Sequence, residues 1–303
     1  MTAKITILGT SSAFPTKQRG HSATHLDVGS ESMLFDCGEN TQRQIALAGI
    51  SPMKTSKIFL THWHGDHVLG LGGLLQSFQM NKRKTAVNVY GPEQTRERFQ
   101  HMLKAFEIRT QYGINVYEVK ASATKPFKIL EDSTYEIFAI KVKHPIPCLA
   151  FMYKEKDRRR VKKDVIKPLG LEGNPLVSKL QEGKDIEYKG KKITAKKATY
   201  MQPGKKIVYI IDAAYSEQLV KFASDADLLI CESTFASDLK QEAREYGHMT
   251  AADAATLAKK AKAKKLVLTH FSQRYRDTNI LLGEAKKIFQ KTEAANDLDS
   301  FEI

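Results

Sequence analysis

Cysteine is scarce in this chain. Cys37, Cys148 and Cys231 lie far apart and at no metal-ligand spacing, which excludes a disulfide framework and a thiolate zinc site and suits a reducing, cytoplasmic compartment. All three are expected to pack as small hydrophobes. Long apolar runs are missing too. Nowhere do eighteen apolar residues follow one another, and Lys4 interrupts the short apolar stretch at the N-terminus, so neither a membrane span nor a signal peptide is expected. Acidic residues are in deficit, 34 against 48 lysines and arginines, a formal net charge of +14. Such an excess attracts a nucleic acid more readily than a neutral metabolite. No internal repeat or low-complexity segment appears, and 303 residues suffice for a sizeable core.

What the chain does have is concentrated in residues 62–67. His62, His64, Asp66 and His67 fall within six residues, directly after the apolar run Ile58, Phe59, Leu60 and before a Leu/Gly-rich amphipathic stretch. In extended backbone alternate side chains share a face, so His62 and His64 can grip one ion. As the chain turns at Gly65 into a helix expected to run to about Phe78, Asp66 and His67 become free to aim at a second. Imidazoles beside a carboxylate favour a hydrolytic zinc site with an open water position over a closed structural one.

Further strands end in candidate ligands. A strand-rich stretch from Ile114 to Val142 leads to His144, held at a turn by Pro145; the run 207–211 ends in Asp212, placed to bridge two ions; the run 228–230 leads to Glu232; and 266–268 leads through Thr269 to His270. His248 and Thr250 open an Ala-rich helix over 250–262. Near the N-terminus a strand ends in Gly9, Thr10, Ser11 and Ser12, and the loop through Pro15, Lys17, Arg19 and Gly20 offers two cations to a phosphate. Asp36 precedes a helix of about ten residues, as N-cap or as support for a ligand. Arg274 and Tyr275 follow His270 closely enough to reach an anion at the metals. A helix over 279–291 closes the chain without evident chemistry.

Residues 152–206 read as an inserted arm. Arg158, Arg159, Arg160, Lys162 and Lys163, followed by Lys191 and Lys192, carry much of the net charge, and Pro168, Gly170, Gly173, Pro175, Gly183 and Gly190 break the stretch into short helices near 161–167 and 175–182. Such a concentration is expected to grip a phosphate backbone.

With His62, His64, Asp66, His67, His144, Asp212 and His270 in this order, the sequence resembles the metallo-β-lactamase superfamily over nearly its whole length. The Gly9, Thr10, Ser11 segment, the Phe35, Asp36, Cys37, Gly38, Glu39 stretch, the basic arm, the His248 and Thr250 motif and the Arg274, Tyr275 pair make it most similar to the short-form tRNase Z branch. The resemblance implies one α/β domain over 1–303, an αββα sandwich with two zinc ions per subunit. His62, His64 and His144 would hold one ion, Asp66, His67 and His270 the other, and Asp212 would bridge; manganese and iron tolerate the same ligands. It further implies a homodimer in which the arm of one subunit clamps a precursor tRNA cut in the other. Asp66 would serve as base toward water, and His248, oriented by Glu232, would protonate the departing 3′ oxygen. Three places depart from the branch's usual pattern: the flanks of Asp212, which are Ile211 and Ala213, the residue before Pro175, which is Asn174, and the residue after Arg19, which is Gly20. The competing expectation is a hydrolase of the same fold acting on a small phosphodiester, thioester or sulfate ester.

Overall fold

Apolar residues on consecutive positions, as at 7–8, 58–59 and 207–210, suit strands buried on both faces. The computed structural model, which describes residues 3–29 and 31–303, places each of these runs inside a sheet. Strands β1 (Lys4–Gly9), β2 (Ala23–Asp27) and β3 (Ser32–Phe35) form an antiparallel meander. After α1 (Thr41–Leu47), β4 (Thr55–Phe59) joins in parallel; α2 (Gly65–Val68) and α3 (Leu71–Met80) lead to β5 (Val87–Gly91), and α4 (Thr95–Ala105) to β6 (Ile114–Glu118), both again parallel. Next come β7 (Phe127–Glu131), β8 (Tyr135–Val142) and β9 (Cys148–Glu155).

Residues 154–205, with 132–136, form a unit with its own small core. It contains β10 (Arg158–Val161), α5 (Lys163–Ile166), α6 (Leu176–Gln181), β11 (Ile186–Tyr188), β12 (Lys191–Ile193), α7 (Ala195–Ala198) and β13 (Thr199–Gln202). β10 pairs with β13 and β11 with β12, while Ile166, Leu171, Leu180, Ile186 and Ile193 pack together beneath them.

The chain then returns through β14 (Lys206–Ile210), α8 (Glu217–Phe222), β15 (Leu228–Glu232), α9 (Lys240–Tyr246), α10 (Ala251–Lys260), β16 (Leu266–Thr269), α11 (Asn279–Ile288), β17 (Thr292–Ala294) and β18 (Ser300–Glu302). The two large sheets run β18-β1-β2-β3-β4-β5-β6 and β17-β16-β15-β14-β9-β8-β7. They meet through Phe35, Phe59, Phe151 and Tyr209, whose rings contact one another at 5.1–5.9 Å, geometry worth about 0.5–1.5 kcal/mol per pair beyond area burial. Buried residues of α1, α3 and α4 pack on one sheet, those of α8, α10 and α11 on the other. The result is an αββα sandwich, as the resemblance implies.

Two expectations need correction. The helix after Gly65 is not continuous to Phe78 but breaks at Leu69 and Gly70. The Gly70 amide donates to the Cys37 carbonyl at 2.9 Å, and a Cβ at 70 would stand 2.1 Å from the Gly38 carbonyl oxygen. The break is where the chain passes over the strand end that carries Asp36. The tail is not inert either. After α11 stops at Ile288, β18 pairs with β1, and half-buried Asp297 accepts from the Thr10 hydroxyl, the Gly20 amide and the Gln44 amide group at 2.6–2.7 Å. That carboxylate fastens the early loop to α1.

His25, in the middle of β2, is 2% exposed, and its Nε2 has no hydrogen-bond partner among the described residues. Burial pushes its pKa down to about 4, against a smaller opposing pull from Asp27. Because the folded pKa lies below the unfolded value of 6.5, stability is intact above pH 6.5 and is lost as pH falls toward 4. Denaturant unfolding of wild type and His25→Leu at a series of pH values should show curves that separate by about 3 kcal/mol over that window, with wild type the more acid-sensitive.

Candidate metal centre

The site is assembled by strand ends that leave ordinary backbone space. Asp36 follows β3, Asp212 lies two residues past β14, and His270 follows β16; their φ angles are 57°, 52° and 58°. Left-handed backbone costs an L-residue about 1–2 kcal/mol. At these three positions it turns the chain sharply as each strand finishes, and the three side chains converge. His62 and His64 come from the extended segment after β4, Asp66 and His67 from α2, and His144 from the turn after β8.

Two interlocked groups result. His62, His64, His144 and Asp212 present ligand atoms within 4.8 Å of one another, and so do Asp66, His67, Asp212 and His270. In the first, His62 Nε2 lies 2.9 Å from His64 Nδ1 and 3.1 Å from Asp212 Oδ2, and His144 Nε2 lies 3.2 Å from His64 Nδ1. In the second, His67 Nε2 lies 3.3 Å from Asp66 Oδ2 and 2.8 Å from Asp212 Oδ2, and His270 Nε2 lies 3.6 Å from Asp66 Oδ2 and 3.2 Å from Asp212 Oδ1. Ligands about 2.0–2.1 Å from one tetrahedral ion are separated by about 3.3 Å. These distances bracket that value, and Asp212 belongs to both groups.

Chemistry supports a cation as well. His67 Nε2, His270 Nε2 and Asp212 Oδ1 are buried and make no hydrogen bond of acceptable geometry among the described residues. Such atoms are costly unless something else satisfies them. Burial lowers the basicity of His67, but Asp66, Asp36 and Asp212 outweigh it and hold the imidazole well above its ordinary pKa. Three carboxylates there demand positive charge, and among the described residues none is paired with a lysine or arginine. Burial keeps His62 and His144 neutral, the latter pulled down to about 4, so their lone pairs are available to an ion.

An outer ring of hydrogen bonds fixes the imidazoles. Asp36, fully buried, accepts from His67 Nδ1 at 2.8 Å, from the Thr61 amide at 2.8 Å and from the Tyr209 hydroxyl at 3.1 Å. Thr61 Oγ1 meets His62 Nδ1 at 3.0 Å, and Thr234 Oγ1 meets His270 Nδ1 at 2.9 Å while donating to Glu232. Such partners set which ring nitrogen faces the ion. Sequence reasoning named Asp36 but missed Thr61, Thr234 and Tyr209, whose only sequence signal is a hydroxyl at or beside a strand end.

His248 sits beside this cluster. Its Nδ1 lies 3.1 Å from Asp212 Oδ1 and 3.2 Å from Glu232 Oε2. Glu232, fully buried, is itself held by the amides of Ala213 and Met249 and by the Thr234 hydroxyl. Burial lowers the His248 pKa, yet Glu232 and Asp212 overcome this and raise it to about 11. Its Nδ1 faces both carboxylates.

The expected anion contacts fare differently. Arg19 donates through Nη2 to the carbonyls of Tyr275 and Arg276 and lies over Phe271, so it ties two loops together instead of presenting a free fork. The Tyr275 hydroxyl accepts from the Ala236 amide at 2.8 Å. Arg274 rests over Phe235 and pairs with Glu242 at 3.3 Å. Lys17 stays exposed, lining a cleft of about 480 Å³ with Arg43 and Asn40. Arg158, Arg159, Arg160, Lys162, Lys163, Lys191 and Lys192 all lie in the 154–205 unit.

Known proteins share these features. Residues 3–145 match the family model described as Anti-Pycsar protein Apyc1, and residues 195–271 match the Beta-lactamase superfamily domain. The Ribonuclease Z of Methanothermobacter thermautotrophicus is 38% identical over 302 residues, covering 99% of this chain and 96% of that protein. The Ribonuclease Z of Methanococcus maripaludis is 40% identical, covering 93% and 92%. Among solved structures, human tRNase Z, short form (ELAC1), aligns with a TM-score of 0.71 at 28% identity over 98% of both chains. YhfI of Bacillus subtilis, a metallo-beta-lactamase fold protein, reaches the same TM-score at 24% identity, a likeness of fold. On full-length identity joined to this fold and this paired cluster, the chain belongs to the ribonuclease Z family, tRNA 3′-processing endoribonucleases that depend on metal.

Proposed function

We propose that the paired cluster holds two zinc ions per subunit and that the protein cuts the 3′ trailer from precursor tRNA, leaving a 3′-hydroxyl on the tRNA and a 5′-phosphate on the trailer. The observation that supports this most is the sharing of Asp212 between two ligand groups at tetrahedral spacing. His62, His64 and His144 take one ion, Asp66, His67 and His270 the other. When bound, the two ions supply a nucleophilic water near neutral pH and neutralise charge on the attacked phosphate.

The residues then divide the work. The Asp66 carboxyl, which burial would raise, is held well below its ordinary range by His67 and His270; as a carboxylate it orients the attacking water and takes its proton. His248, protonated and held by Glu232, donates from Nε2 to the departing ribose 3′ oxygen. Residues 154–205 carry sixteen lysines and arginines against seven acidic residues, enough to neutralise several phosphates of a folded RNA. Among them, exposed Tyr200 and Met201 stand opposite Arg160 and Arg159 across the β10–β13 ladder, so cations and a stacking ring occupy one two-stranded ribbon. The protein acts in the cytoplasm, in keeping with three buried free thiols, and no helix of the described residues is long and apolar enough to cross a membrane. Two copies assemble through the layer of α1, α3 and the turn after α4, which exposes Leu47, Met80 and Phe106 by 54%, 81% and 55%, apolar surface that a partner would cover.

Purified protein incubated with a 3′-extended precursor tRNA should give a chelator-sensitive cut at the discriminator base, the unpaired nucleotide that follows the acceptor stem, with a 3′-hydroxyl end. Hydrolysis of a small phosphodiester without RNA cleavage would instead favour the small-substrate reading. His248→Ala should lose cleavage rate by about 10²-fold or more while keeping zinc and tRNA affinity; an unchanged rate in single-turnover assays would remove His248 from the mechanism. Asp36→Asn, which leaves His67 Nδ1 without its anionic partner, should weaken metal binding by about 10-fold or more in competition with a chromogenic chelator. Equal affinity would mean that Asp36 serves folding only.

A further inference from the structure

We propose that Tyr246 is a base-stacking residue for the last nucleotide retained on the tRNA, an inference that rests on the reading above. Tyr246 is 61% exposed, and its hydroxyl has no hydrogen-bond partner among the described residues. It ends α9, and the chain passes at once through Gly247, φ 78°, to His248. Two backbone hydrogen bonds close this corner: the Gly247 amide donates to Arg244 and the His248 amide to Ala243 at 2.7 Å. The backbone positions that carry the phenol and the imidazole are therefore fixed two residues apart on one turn. A Cβ on Gly247 would lie 3.5–3.6 Å from Pro145 and His144, so the turn itself rests against a metal-site histidine.

The direction of Tyr246 follows from its helix. Glu242 and Tyr246 are four residues apart and share a face of α9. Glu242 on that face reaches Arg274, Arg274 lies over Phe235 at 5.0 Å, and the Phe235 ring is 5.8 Å from that of His248. Tyr246 thus shares a helix face with the residue that pairs with Arg274, whose guanidinium lies over the ring beside the proton donor.

Reaction chemistry then identifies the occupant. His248 protonates the leaving 3′ oxygen, so the ribose nearest to it is that of the last retained nucleotide, not of the trailer. Its base lies beyond the acceptor-stem pairs and is unpaired; proteins hold such bases by stacking on aromatic rings, at an energy that alanine substitution exposes. An exposed phenol anchored to the proton donor's own turn would hold that nucleotide and keep its 3′ oxygen on Nε2.

The test compares wild type, Tyr246→Ala and Tyr246→Phe on two precursors, one natural and one abasic at the last retained nucleotide. On the natural precursor Tyr246→Ala should lose about 10-fold in kcat/KM, and Tyr246→Phe should restore most of it. On the abasic precursor wild type should fall to the level of Tyr246→Ala. If wild type cleaves the natural precursor but Tyr246→Ala matches it, or loses equally on both precursors, the stacking role is overturned and the nuclease reading stands. If wild type cleaves neither while hydrolysing a small phosphodiester, both fall.

Discussion

Everything at this centre depends on one buried carboxylate. Asp212 is 2% exposed and stands within 3.2 Å of ring nitrogens from His62, His67, His248 and His270. Burial alone would push its pKa up, but His270 and His67 outweigh burial and keep it ionised. An isolated carboxylate at this depth would cost many kcal/mol. Four imidazoles and the ions they imply are what make it tolerable, and the same charge binds the two halves of the site into one. Losing the Asp212 side chain would therefore disturb both groups, because it belongs to each.

Geometry at this centre is maintained against local preference. Asp36, Asp212 and His270 occupy left-handed backbone, where glycine would sit at lower cost. None can be glycine, since each contributes its side chain. Sheet pairing on either side supplies the compensation: β14 and β16 both pair in parallel with β15, itself buried along its whole length. The strain is held by the most regular part of the molecule. Outside the cluster, Thr61, Thr234, Asp36 and Glu232 turn the imidazoles to the required faces, so rigidity extends one layer beyond the ligands.

Loops around the centre are tied to each other by polar contacts that draw on residues distant in sequence. Arg19 holds the carbonyls of Tyr275 and Arg276, Asp297 holds Thr10, Gly20 and Gln44, and the amides of Ser12 and Phe271 join the early loop to the segment after His270. A basic residue beside a putting-together of small hydroxyls reads in sequence as an anion contact; here its task is to fix the rim. Surface chemistry is left to Lys17, Arg43, Arg274 and Tyr246, which remain exposed.

Much of the site was legible in order along the chain because its ligands obey short-range rules: alternation places His62 and His64 together, a Gly65 turn releases Asp66 and His67, and apolar strands end in His144, Asp212, Glu232 and His270. The fold class came from resemblance, since periodicity showed only mixed strands and helices. Other features were invisible in the sequence because they depend on contacts between segments far apart. Gly70 breaks a helix only because Gly38 lies against it. Arg19 is a clasp only because two carbonyls 256 and 257 residues away face it. Tyr246 gains meaning from Arg274 and Phe235, neither near it in sequence. The candidate ligands and the bridging place of Asp212 were thus legible in the sequence, through spacing and strand ends; backbone strain, the supporting hydrogen bonds and the walls of the site were decided by tertiary structure, because only packing brings the ends of separate strands to one point.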